Sequence, residues 1–175
     1  EKNIFVYSFC MCPGGFIVPA SSEKDRLCVN GISYHNRSNT NANAAIVCAV
    51  NSEILGKETL AGIKFQRDIE EKAYKLGGGN FTAPVLRLDD YSNGRVSNKL
   101  GKIRPSYTPN YKFADLNEIY PAKINEAIKI ALKDFGKKID AFHKAMLFLQ
   151  VLKREHHPLL GLKEIGITQL LNIRI

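Results

Sequence analysis

The stretch VYSFCMCPGGFIVPASSE, at residues 6–23, combines a strand-like apolar segment with an abrupt interruption. Residues 4–10 are apolar and partly β-branched, a composition that predicts a strand. The Pro-Gly-Gly tripeptide at residues 13–15 must interrupt it, because proline cannot donate a ladder hydrogen bond and glycine permits unusual dihedrals. Cys10 and Cys12 are one residue apart, so a regular strand would place both thiols on the same side.

The thiols near this bend have several possible roles. Spacing alone favours Cys10 and Cys12 as small hydrophobic residues of the core. The alternatives are that they contact a cofactor or that one of them is a thiol nucleophile. Four dispersed cysteines are too few for a disulfide scaffold, so we expect them to be reduced. The C-x-C pair lacks the spacing and the second ligand pair of a zinc site, so we expect no metal.

Length and composition predict one domain, or part of a larger protein. The chain has 175 residues, of which 45% are hydrophobic, and it does not begin with Met, which favours a fragment. It contains no signal peptide and no apolar run of membrane-spanning length, so we expect a cytoplasmic protein without a membrane partner. The formal charge of +8 admits a basic α+β module for a polyanion such as RNA. However, the basic residues alternate with acidic ones on predicted helices, which disfavours nucleic acid.

The periodicity predicts an α+β fold, with antiparallel or mixed strands and two main helices. The helices are expected at residues 59–76 and 121–139, with Gly77 in a left-handed conformation after the first. Asn30 and Gly31 predict a turn. Further strands are expected at residues 16–18, 27–29, 44–50 and 83–88, and a loop at 89–102.

Asparagines crowd the region before the buried run at residues 44–50. Such residues usually cap local backbone in loops. However, Asn41 and Asn43 stand at the mouth of a strand, where two amides are placed to hydrogen-bond a heteroaromatic ring or a hydroxyl-bearing ligand. Neither phosphate-binding fingerprint, G-x-G-x-x-G or G-x-x-x-x-G-K-S/T, is present.

Five stretches together resemble one family, the bacterial FAD-dependent dehydrogenases of unassigned substrate, also called NAD(P)/FAD-dependent oxidoreductases. The resemblance extends over residues 6–142. The stretches are YSFCMCPGGFIVPASSE, VNGISYHNRSNTNANAAIV, LAGIKFQRDIEEKAY, GGGNFTAPV and SYTPNYKFADLNEIYP.

The resemblance implies that residues 1–143 are the substrate-side, or cap, domain of a two-domain flavoprotein. Family members are longer and carry a dinucleotide-binding domain upstream, which is the implied partner along with a small-molecule substrate. The implied cofactor is FAD, with NAD(P) as a possible electron donor or acceptor. The fragment alone is expected to be inactive. Cys10 and Cys12 are the catalytic candidates, and the implied cofactor-binding residues are Pro13, Gly14, Gly15, Asn30, Gly31, Asn41 and Asn43.

The resemblance stops near residue 143. There the family pattern reads approximately DAIFTGVETRTSSP, whereas this chain reads MLFLQVLKREHHP at residues 146–158. A single nucleotide string encodes the first sequence in one reading frame and the second sequence in the next frame. We therefore expect residues 144–175 to be a C-terminal tail translated out of frame.

Overall fold

A mixed β-sheet with helices against it forms the centre of the molecule. The computed structural model describes residues 4–139, 142, 146–150 and 165–174. Within those residues the strands are β1 (Val6–Cys12), β2 (Gly15–Pro19), β3 (Val29–Ser33), β4 (Asn41–Val50), β5 (Ala83–Arg87), β6 (Tyr111–Phe113), β7 (Met146–Gln150) and β8 (Ile165–Arg174). The α-helices are α1 (Ser52–Leu55), α2 (Ala61–Gly77), α3 (Leu88–Ser92) and α4 (Ala122–Lys138).

Six strands form one sheet in the order β1-β4-β8-β7-β5-β6, and β2 and β3 form a separate hairpin. The pairs within the large sheet are antiparallel except for β5 with β6, which is parallel. Together with the two long helices, this confirms the predicted α+β class with mixed strands. The architecture differs from a doubly wound dinucleotide-binding fold, whose strands are mostly parallel.

The two long helices lie close to where the apolar periodicity predicts them. Helix α2 buries Ile69 and Ala73, and α4 buries Ile124, Ile128 and Leu132. Helix α2 ends one residue later than expected, with Gly78 rather than Gly77 in the left-handed conformation. Gly77 stays helical, and its α-carbon lies so near the Thr82 carbonyl that an added Cβ would be 1.9 Å from that oxygen.

Strand β4 is the core strand of the fold. Almost all of its residues are buried, among them Ile46 and Cys48, neither of which is exposed at all. Such a continuous apolar run is typical of a strand covered on both faces. Because its N-terminal end carries Asn41 and Asn43, this strand also fixes the position of the predicted site.

Three further local predictions are wrong. The strand expected at residues 27–29 is shifted, since β3 begins at Val29 and ends at Ser33. Asn30 and Gly31 do not form a turn but lie inside β3, where Gly31 pairs with Ile17 of β2. A glycine in a strand interior often marks a close approach of other atoms, and Gly31 is such a case, as described below. In addition, the loop predicted at residues 89–102 is replaced at its start by the short helix α3.

The sheet crosses the predicted boundary at residue 143. Strands β7 and β8 come from the tail and occupy the two central positions between β4 and β5. Backbone hydrogen bonding is common to all residue types except proline, so this placement does not test the out-of-frame origin of residues 144–175. That origin stays a prediction, and resequencing the locus tests it.

Candidate functional site

Strand β1 contains a β-bulge at Cys10. Phe9 pairs with Ala45 and Met11 pairs with Ala44, so Cys10 is an extra residue in the ladder. Its φ is 45°, which is uncommon for a residue other than glycine. The prediction of a regular strand is therefore wrong here, because a bulge interrupts the side-chain alternation. The core interpretation is also wrong for Cys10, which is exposed, and Cys12 is only half-buried.

The Pro-Gly-Gly corner at residues 13–15 follows the bulge and is held by three side chains. The Ser33 hydroxyl donates to the Pro13 carbonyl at 2.5 Å. The Asn39 amide donates to the Gly15 carbonyl at 2.6 Å, and the Ser106 hydroxyl donates to that carbonyl at 3.3 Å. These contacts join the corner to three separate segments of the chain, so its backbone is fixed.

The glycines of the corner are needed for internal packing. At Gly14, where φ is 57°, an added Cβ would lie 2.0 Å from the Arg37 carbonyl oxygen. At Gly15 an added Cβ would lie 2.3 Å from the Asn43 amide nitrogen. Both distances are far below van der Waals contact, so the space that the missing Cβ atoms leave is filled by the protein itself.

Asn43 docks the β2–β3 hairpin onto β4. It is 1% exposed, and its Nδ2 donates to the carbonyls of Phe16, at 3.1 Å, and Ile32, at 3.4 Å. A Cβ on Gly31 would lie 2.1 Å from the Asn43 Oδ1 atom. The structure therefore brings Gly15, Gly31 and Asn43 together, as the predicted site requires, but in direct contact with one another.

The other two predicted asparagines lie apart from this contact. Asn30 is exposed and pairs with Val18 on the hairpin. Asn41 is 5% exposed and donates from Nδ2 to the Arg104 carbonyl at 2.7 Å. Asn41 also lines a cavity of about 230 Å³ together with Thr40, Lys102 and Arg104.

Comparison with known proteins identifies the family. Residues 1–153 match the sequence model described as "FAD-dependent protein, C-terminal domain-like". The chain belongs to this family. An uncharacterized protein of Clostridium beijerinckii is 50% identical over 138 residues, which are 78% of this chain and 26% of that protein. The chain therefore spans about a quarter of the length of this relative.

The FAD-dependent family raises the question of whether the described residues fit a flavin. The spaces beside Gly14, Gly15 and Gly31 are filled by protein atoms, so they offer no cradle for a dinucleotide. By contrast, Cys10 and Pro13 are exposed. Contact of the corner residues with the cofactor stays a prediction.

Helix α2 carries two polar side chains, Gln66 and Arg67, that have partners within the protein. Gln66 is half-buried and donates to the Glu70 carboxylate at 2.9 Å. Arg67 is exposed and pairs with Glu23 at 3.0 Å, and its guanidinium lowers the pKa of that carboxyl. Burial raises the pKa of Glu70. The Arg67–Glu23 pair joins α2 to the loop after β2, whereas the Gln66–Glu70 bond lies within α2, so both residues have a structural use.

In the part of the chain that the structure describes, no three His, Cys, Asp or Glu side chains are grouped so as to hold a metal ion. Burial raises the pKa of Cys48 to about 12, so this thiol is neutral near pH 7. No helix within the described ranges is both long and apolar enough to cross a membrane.

Nothing in the sequence indicates that Ser106, Lys102 and Arg104 lie close to the predicted site. They belong to a segment with little periodicity and several prolines, so no local signal placed it in space. The Ser106 hydroxyl and the Arg104 carbonyl join this segment to the corner and to β4. These contacts join residues that are far apart in sequence, and the pattern of residues within one segment does not reveal them.

Proposed function

We propose that this chain forms the substrate-side wall of the flavin site in an FAD-dependent oxidoreductase. The observation that carries the proposal is the match of residues 1–153 to a C-terminal domain of FAD-dependent proteins. The relative with 50% identity is longer, and this chain covers 26% of it. The remaining polypeptide has ample length for the dinucleotide-binding domain that the proposal requires.

The corner is the part of this chain that we assign to the wall. Its backbone carbonyls already accept hydrogen bonds from Ser33, Asn39 and Ser106, so the corner is rigid before a ligand arrives. A rigid wall orients a flat ring without loss of further conformational entropy. When bound, the flavin supplies hydride transfer, and the protein supplies orientation.

Cys10 and Cys12 are the residues proposed to contact the flavin or the substrate. The bulge places Cys10 on the surface, and Cys12 is half-buried immediately before the corner. A positive φ at a residue with a side chain costs free energy of about 1–3 kcal/mol, and such residues cluster at active sites. We infer a small-molecule substrate, with NAD(P) as the electron donor or acceptor, in a cytoplasmic enzyme.

The proposal is tested with a fusion in which the upstream part of the Clostridium beijerinckii relative precedes this chain. We expect the fusion to bind FAD and this chain alone to bind none, as measured by flavin absorbance after gel filtration. Cys10→Ser and Cys12→Ser should change the flavin spectrum or its rate of reduction. The matched control is Cys28→Ser, at a half-buried thiol on the loop before β3. Identical flavin spectra and rates in all three variants would exclude the proposed wall.

The alternative of a polyanion-binding module is less well supported. Several helical lysines are paired with carboxylates of their own helix, as in Lys129–Glu126 and Lys137–Asp134. Such pairs are typical of solvated helix faces. Titration with RNA at increasing salt tests this alternative, since phosphate contacts give a steep salt dependence.

A further inference from the structure

The cavity beside the start of β4 has an unusual lining. Its volume is about 230 Å³, and the lining residues are Thr40, Asn41, Lys102 and Arg104. Two of these four side chains are cations, one is a hydroxyl and one is an amide. The cavity is smaller than the pockets of about 300–1,000 Å³ that hold drug-sized ligands, so it suits a small head group.

The two cations of this cavity have no ion-pair partner in the described part of the chain. Among residues 4–139, 142, 146–150 and 165–174, neither the Lys102 nor the Arg104 side chain forms an ion pair. Other arginines of the described chain do, as in Arg26–Glu23 and Arg95–Asp90. Two unneutralised positive charges on one small cavity favour an anionic ligand.

The walls of the cavity are fixed by buried contacts. Asn41 is 5% exposed and donates to the Arg104 carbonyl, which ties β4 to the opposite wall. Ile103, between the two cations in sequence, is 3% exposed and anchors their segment in the core. The arrangement therefore exists before a ligand binds, which reduces the entropic cost of binding.

The cavity also adjoins the corner. Asn39, next to Thr40, donates to the Gly15 carbonyl, and Ser106, two residues after Arg104, donates to the same atom. A ligand bound in the cavity would therefore contact the same two segments whose side chains hydrogen-bond to the corner.

We propose that this cavity binds a phosphoryl group through Lys102 and Arg104, with the Thr40 hydroxyl as a further donor. A phosphate monoester carries a charge of about −1.5 to −2 at pH 7, which matches two cations better than a carboxylate does. The planar guanidinium of arginine also matches phosphate geometry, with two parallel hydrogen bonds. The inference goes beyond the proposed flavin wall, because it concerns a separate site that inorganic phosphate alone can test.

The first experiment is calorimetric titration of the 175-residue chain with inorganic phosphate at low ionic strength. We expect the double variant K102Q/R104Q to raise the Kd at least about tenfold, since it removes both cationic partners of the phosphoryl group. The matched control is K72Q/K123Q, which removes two exposed helical charges away from the cavity and should leave the Kd unchanged. Arg104→Gln keeps the backbone carbonyl that accepts from Asn41, so folding should be preserved.

A second measurement keeps the test valid if the double variant misfolds. In the wild-type chain, phosphate should shift the backbone amide NMR signals of Thr40, Asn41, Lys102 and Arg104, and not that of Lys72. Shifts spread over all exposed lysines would overturn the proposal. So would an unchanged Kd in a folded K102Q/R104Q variant, or equally tight binding of succinate, which would assign the cavity to carboxylates.

Competition then distinguishes the two sources of a phosphoryl group. If FAD displaces inorganic phosphate from the fusion with the upstream part of the Clostridium beijerinckii relative, which is expected to bind FAD, the cavity holds the pyrophosphate of the cofactor. If glucose 6-phosphate displaces phosphate and FAD does not, the cavity holds a phosphorylated substrate. Either result supports the phosphoryl assignment.

Discussion

The Gly15–Gly31–Asn43 contact and the cavity at Thr40, Asn41, Lys102 and Arg104 lie at the same end of β4, yet they differ in how their polar atoms are used. In the glycine–asparagine contact, Asn43 is almost fully buried and its Nδ2 atom donates to two carbonyls of the hairpin. In the cavity, two cations face open space. Two asparagines separated by one residue therefore belong to a closed region and an open one.

The difference shows that a polar cluster in the sequence is not by itself a ligand site. Burial of a polar group is tolerated only when the group is hydrogen-bonded. Asn43 meets this condition because its Nδ2 atom donates to the Phe16 and Ile32 carbonyls. Its amide is therefore a structural element. The groups available to a ligand are those whose hydrogen bonds or charges the protein does not satisfy.

Removal of the tail should have the largest effect, because it breaks both regions at once. Strand β8 pairs along β4 from Asn41 to Val50. Without β7 and β8, the pair β1–β4 is separated from β5–β6, so we expect a chain ending at residue 143 to lose cooperative thermal unfolding. A sharp calorimetric transition in that truncated chain would show that residues 4–143 fold without those strands.

Gly15→Ala should be the most damaging single substitution in the closed region. The new Cβ would lie 2.3 Å from the Asn43 amide and 2.6 Å from the Cys12 carbonyl. We expect a loss of about 3 kcal/mol in the free energy of unfolding, measured in urea. Gly101→Ala is the control, since its Cβ would be in ordinary contact at 3.5 Å from Arg87. Equal stability of the two variants would contradict the tight contact at Gly15.

Local periodicity accounts for the part of the fold that could be predicted. Helices α2 and α4 have regular apolar faces, and β4 has a continuous apolar run, so their positions follow from the sequence. The bulge at Cys10 has no such signal, because it depends on the register of β1 with β4. Likewise, Lys102 reaches Thr40 only through the long-range path of its segment, so the sequence could not reveal the cavity.

The two asparagines should differ in how much each contributes to the free energy of unfolding. Asn43→Ala leaves two carbonyls of the hairpin without this donor, and we expect a loss of about 2 kcal/mol in the free energy of unfolding. Asn41→Ala should cost about 1 kcal/mol, because water in the cavity can reach the Arg104 carbonyl. A larger loss for Asn41→Ala than for Asn43→Ala, in urea denaturation, would reverse our assignment of closed and open regions.

The smallest effect near neutral pH is expected from Cys48, in the closed interior of β4, because its ionisation changes the free energy of unfolding only at alkaline pH. Its pKa is about 12 in the folded chain, against an ordinary value of 9.0. The stabilisation that the buried neutral thiol provides is therefore fully present below pH 9 and is lost as the pH rises towards 12. Over this range the free energy of unfolding falls by up to about 1.4 kcal/mol per pH unit. The difference in the free energy of unfolding between the wild type and Cys48→Ala should decrease from pH 9 to pH 12. A difference independent of pH from 9 to 12 would mean that the thiol is not desolvated.

The pairing of β4 with β8 also affects the order of events during synthesis. Val50 pairs with Ile165, so β4 emerges from the ribosome after its neighbour β1 but long before its other neighbour, β8. Contacts between residues that are distant in sequence slow folding, and an unpaired strand edge promotes aggregation in the interval. The nascent chain therefore depends on its helices, or on a chaperone, to cover this free edge of β4 until β8 is translated.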